Sequence, residues 1–104
     1  MNSLEILNTF QVHITLPEVF SRRFAALIPQ QQERVNELMN KRIILNYALD
    51  MDRTQVWITI QAKNEQQIMD ILASFPIIKD VKVEITELAF FDSAPIGLAE
   101  FIMN

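Results

Sequence analysis

The stretch SFPIIKDVKVEITEL, Ser74–Leu88, decides the fold. An apolar run stops at Pro76, and then Val81, Val83 and Ile85 alternate with Lys82, Glu84 and Thr86. Period two marks a strand with one face in a core. The question is what the other face, with a lysine, a glutamate and a threonine in sequence, looks at. The strand is expected from about Asp80 to Phe90. Its alternation slips at Glu87-Leu88, which predicts a bulge or the strand's end.

Working outward, Ile68, Ile71, Leu72 and Phe75 recur at helical spacing. Asn64 and Gln67 have capping-box spacing, so a helix is expected over 64–75, closed by Pro76. Before it, QVWITIQA (55–62) places Val56, Ile58, Ile60 and Ala62 opposite Gln55, Trp57, Thr59 and Gln61. RIILNYAL (42–49) is apolar almost throughout, and the short polar DMDRT between the two predicts an antiparallel hairpin.

FQVHITL (10–16) is a fourth alternating segment, ended by Pro17. Residues 21–40 form a helix with Ser21 as N-cap. Its stripe runs through Phe24, Ile28, Gln31, Val35 and Leu38, flanked by Leu27 and Met39. Pro29 lies inside it and predicts a kink or two abutting helices.

The order is strand, helix, strand, strand, helix, strand. This is the split βαβ pattern of the α+β, ferredoxin-like βαββαβ fold, in which both helices cover one face of a four-stranded antiparallel sheet. The first strand then lies between the third and the last. The expected organisation is a single domain over 1–104, with a core at about 10–90 and an apolar arm at 92–104. That arm carries Ile96, Leu98, Phe101, Ile102 and Met103, which ask for a surface on their own subunit or a neighbour.

The chain has 104 residues, 50% of them hydrophobic, with a formal net charge of −4 and no cysteine. No Lys/Arg-rich run exists, which argues against nucleic acid or an anionic membrane as partner. Disulfides, thiolate metal sites and cysteine nucleophiles are excluded. One histidine leaves no zinc set, and a single glycine leaves no phosphate-binding loop. No Ser-His-Asp elbow is recognisable. No leader and no membrane-length apolar run are visible, so the expectation is a soluble, cytoplasmic protein.

The helix-free face takes Gln11, His13, Thr15, Trp57, Thr59, Lys82, Glu84 and Thr86, with strand-two aliphatics among them. A partly apolar open sheet is a liability alone. A second copy packed face to face makes a dimeric α+β barrel with a cavity suited to a small organic ligand.

On these residues the chain resembles the muconolactone isomerases. VHITLP (12–17) is similar to their first strand, which also ends in Leu-Pro, and SFPIIKDVKVEITEL to their fourth-strand region, with a glutamate at the position of Glu84. Residues 42–75 keep the spacing, and the likeness covers about 10–90. The resemblance implies a ferredoxin-like fold, a dimeric α+β barrel and often a larger homo-oligomer. It also implies proton transfer within a small lactone, with no metal and no organic cofactor. The family's Gly-His-Tyr-like hairpin is replaced by Asp50-Met51-Asp52-Arg53, and its second-strand tryptophan by Asn46 or Tyr47.

Such chemistry needs a base near a carbon acid and a donor for the enolate oxygen. His13 held by Glu84 is the candidate base, and Lys82 the candidate carbonyl polariser. Trp57, Thr59 and one of Asn46 and Tyr47, which differ in parity, are candidate lining residues. The plainer readings are a cross-strand polar pair, a solvated ion pair and ordinary interface aromatics. Asp50, Asp52 and Arg53 read as a solvated turn rather than a cation site. Three functions stay open: a cofactor-free isomerase, a binding or structural homo-oligomer, and a cofactor-free monooxygenase-like barrel.

Overall fold

The structure, a computed structural model, describes residues 6–94. Its elements are β1 (Asn8–Thr15), α1 (Arg22–Asn40), β2 (Ile44–Leu49), β3 (Gln55–Ala62), α2 (Glu65–Ala73) and β4 (Lys82–Leu88). A single 3₁₀ turn, Ile78–Asp80, precedes β4. The four strands form one antiparallel sheet in the order β2-β3-β1-β4. This α+β arrangement, with two helices and an open four-stranded sheet, is compatible with the ferredoxin-like fold. The arm residues Ile96, Leu98, Phe101, Ile102 and Met103 lie outside the described residues.

Local chemistry sets the boundaries. Ser21 Oγ accepts from the Phe24 N–H at 3.0 Å and starts α1. Pro29 is carried inside one helix, so the expectation of two abutting helices is not met. The helix ends with Arg42 at φ 61°, its N–H donating to Met39 O, while the Ile43 N–H donates to Leu38 O. These two bonds are those of a Schellman cap, with arginine where glycine is usual. Asn64 Oδ1 accepts from the Gln67 N–H at 2.9 Å, and Gln67 Oε1 accepts in return from the Lys63 N–H at 2.8 Å. The reciprocal bond thus reaches one residue further back than in a standard capping box.

The hairpin between β2 and β3 is built on Asp50. Its carboxylate accepts from the Thr54 N–H, the Gln55 N–H and the Thr54 hydroxyl at 2.7, 2.9 and 2.8 Å. The bond from the Gln55 N–H, joined by those from Thr54, holds its pKa below the ordinary aspartate value against the opposing effect of burial. Asp50 is therefore the organiser of the turn.

The core lies between the helices and one face of the sheet. Val12, Ile14, Ile58, Ile60, Val35, Leu38, Ile68 and Leu72 are all buried in it. β4 adds Val83 and Ile85, packed against the same cluster. Leu88 stands opposite Thr9 in unbroken register, so the slip at Glu87-Leu88 is the end of the strand and not a bulge. The bulge is in β2 instead: Ile44 pairs with Ile60 and Asn46 with Thr59, leaving Leu45 as the extra residue. That extra residue explains why β2 is apolar on both parities.

Candidate functional site

The helix-free face is read off the register. One row across the sheet is Ala48, Trp57, His13 and Glu84. The next is Asn46, Thr59, Gln11 and Thr86. On the other side of the first row lie Gln55, Thr15 and Lys82.

His13 is the hub of this face. Its ring stacks on Trp57, with centroids 5.5 Å apart and planes 10° from parallel. Its Nδ1 is 3.3 Å from Glu84 Oε1, and its Nε2 is hydrogen-bonded to Gln55 Oε1. The Thr15 hydroxyl approaches the same Gln55 oxygen at 3.4 Å. β1 sits between β3 and β4, so one residue of β1 reaches partners on both sides.

Both partners, as placed, accept. A neutral imidazole carries one N–H, so this pattern suits the imidazolium. With the Gln55 amide turned over, the neutral ring fits as well: Nδ1–H donates to Glu84 and the amide donates to Nε2. Glu84 thus selects the tautomer that leaves Nε2 as the basic nitrogen. The Glu84 side chain is 82% exposed and that of His13 is 32% exposed. In the single chain their attraction is accordingly worth little, on the order of 0–1 kcal/mol.

The remaining candidates divide. Trp57, 39% exposed, has one ring face covered by His13 and an exposed part that borders the same face of the sheet. Thr59 belongs to this face but is 2% exposed, and its hydroxyl donates to Gln11 Oε1 at 3.1 Å. Asn46 lies on the face at the β2 edge. Tyr47 does not: it pairs with Ile58 and packs against the core on the helix-covered side. Lys82 is at the rim opposite Thr15, where it borders a hollow with Asp80 and Glu18. Asp50, Asp52 and Arg53 lie at the hairpin, with Asp50 accepting from the backbone N–H of the same Gln55.

Gln55 and Gln11 are the site residues that sequence reading does not single out. Parity places both on this face, but nothing in the sequence marks which glutamine meets the histidine. Among the described residues, no three His, Asp or Glu side chains gather to hold a metal ion, and no helix is long and apolar enough to cross a membrane.

Compared with known families and proteins, the sequence matches no family model and no curated protein. The likeness to muconolactone isomerases therefore rests on the quoted segments and the element order alone.

Proposed function

We propose that the helix-free face is a small-molecule site for cofactor-free proton transfer, closed into a dimeric α+β barrel by a second copy of the chain. One observation carries this reading: His13 is held by Glu84 and Gln55 and stacked on Trp57 at the centre of that face. A histidine with one nitrogen fixed by a carboxylate is a suitable base near neutral pH.

In this mechanism Gln55 swings away as substrate binds. His13 Nε2 takes a proton from the carbon attached at the far end of the double bond that is conjugated with the carbonyl of an unsaturated lactone. The electron pair moves onto the carbonyl oxygen, which Lys82 or the Asn46 amide stabilises. The proton on Nε2 exchanges with solvent, and His13 then delivers a proton to another carbon of the conjugated system, so the double bond shifts with no net gain or loss of atoms. Trp57 steadies the imidazole by stacking on it, and its exposed edge borders the bound ring. The second sheet excludes water, which strengthens each of these interactions.

A second reading, a barrel that binds without turnover, is favoured by the bond from Gln55 to Nε2. That bond occupies the nitrogen the base would use.

The deciding experiment is incubation with muconolactone in deuterated buffer, followed by NMR. Deuterium entering the lactone together with isomerisation supports proton transfer. Exchange alone indicates a working base with an unsuited substrate. No change, with the protein folded and dimeric, favours the binding-only reading.

A further inference from the structure

A second hollow lies on the opposite side of the sheet. A pocket of about 110 Å³ opens between the start of α1 and the β2–β3 hairpin, walled by Phe20, Ile28 and Val56. Gln31, Tyr47 and Arg53 also line it.

These three polar side chains share one property. Gln31 is only 4% exposed; its Oε1 accepts from the Ile77 N–H at 3.4 Å, while its Nε2 has no partner among the described residues. Its N–H groups are open to solvent at the hollow, so a ligand there would take the place of water as their acceptor. The Tyr47 hydroxyl also has no partner among the described residues. Burial raises its pKa, so it stays an O–H donor at neutral pH. The Arg53 guanidinium meets no carboxylate among the described residues and is the one charged group bordering the pocket. Arg53 is held there at φ 60° by the hairpin that Asp50 organises.

With Gln32, four polar side chains line the apolar hollow, and the one charge among them is positive, which defines a ligand with an apolar body and an acceptor-rich, negatively charged end. Size narrows it further. An engineered dry cavity of about 150 Å³ in another protein takes up benzene. This pocket, open at its mouth, fits one ring or a short branched chain. A guanidinium matches a carboxylate with two parallel N–H groups.

We propose that this pocket binds a small monocarboxylate with an aromatic or branched apolar body. The body lies between α1 and the sheet, the carboxylate is at Arg53 and Tyr47, and the Gln31 amide donates deeper in. This site is separate from the His13 face and stands or falls independently of it.

The test is titration of the ¹⁵N-labelled full chain with benzoate, with benzyl alcohol as the uncharged control. Saturable shifts are expected at the Gln31 side-chain amide and at Tyr47, Leu49 and Arg53. Arg53→Gln, at an exposed hairpin position, should weaken benzoate about tenfold and leave benzyl alcohol unchanged. Tyr47→Phe should weaken benzoate by a smaller factor. Absence of saturable shifts, shifts confined to His13, Trp57 and Glu84, or equal benzoate affinity in Arg53→Gln would each overturn the proposal.

Discussion

His13 and Trp57 face each other across the β1–β3 ladder with their rings stacked 10° from parallel. Trp57 is the only tryptophan in the chain. An imidazole stacked on an indole changes the environment of the indole ring. The indole emission is therefore expected to differ between the wild-type chain and His13→Gln under the same conditions. Identical spectra in the two would show that the rings do not stack in solution.

The proposed proton transfer makes unequal demands on the pair. His13→Ala should lower turnover by roughly 10²–10⁴-fold, the usual share of a positioned base. Glu84→Gln should cost less, because an amide oxygen still accepts from Nδ1–H and keeps the ring oriented. Its effect should appear in kcat rather than KM, since Glu84 positions the base and does not hold substrate. Full activity in His13→Ala would end the assignment of His13 as base.

The pairing of His13 with Glu84 was within reach of the sequence because three constraints agree. Period two assigns each residue to a face, Pro17 and the short DMDRT connection limit the strands, and the split βαβ order puts the first strand beside the last. One residue of register decides the rest, and periodicity does not fix it in an all-apolar strand. The extra Leu45 in β2 sends Asn46 to the open face and Tyr47 to the core side. Gln55 escaped for another reason: a glutamine's hydrogen-bonding partner is chosen by its rotamer, which no spacing encodes. Gln31, by contrast, sits on the apolar stripe of α1 in the sequence itself, and it is buried as that stripe requires.

Acid stability should report on the hairpin. The Asp50 carboxyl is held below its ordinary pKa, chiefly by the Gln55 N–H and then by Thr54. A group depressed in the folded state stabilises it fully above the unfolded pKa, and that contribution is lost as pH falls through the folded value. Asp50→Ala should therefore melt lower than wild type at neutral pH. The gap between the two should narrow below about pH 4. A gap that stays constant from neutral to acid pH would mean the carboxylate charge is not what the turn uses.

Pro29 lies in the eighth position of α1, where its missing N–H leaves the Ala25 carbonyl without its helical donor. The residue is exposed, so no core contact is lost on replacing it. Pro29→Ala should raise stability by about 1–3 kcal/mol in urea denaturation, the range set by proline's cost inside a helix. An unchanged or lower midpoint would show that the proline relieves something the helix otherwise lacks.

Closure of the helix-free face by a second copy can be tested without any substrate. A specific dimer buries roughly 1,200–2,000 Å². Adding a carboxylate in the middle of such a surface, beside an existing one, opposes burial much more than it disturbs a single chain. Thr86 is the suitable position: it is exposed, it completes the row of Asn46, Thr59 and Gln11, and it lies two residues from Glu84 on the same face. Sedimentation velocity should give a dimer for the wild type and a shift towards monomer for Thr86→Asp, with the circular dichroism of the two alike. A wild type that stays monomeric up to roughly 100 μM, where even a micromolar dimer is filled, would remove the barrel. His13 would then sit on a wetted sheet, where a base competes with bulk water and the electrostatic gain of an enclosed site is lost.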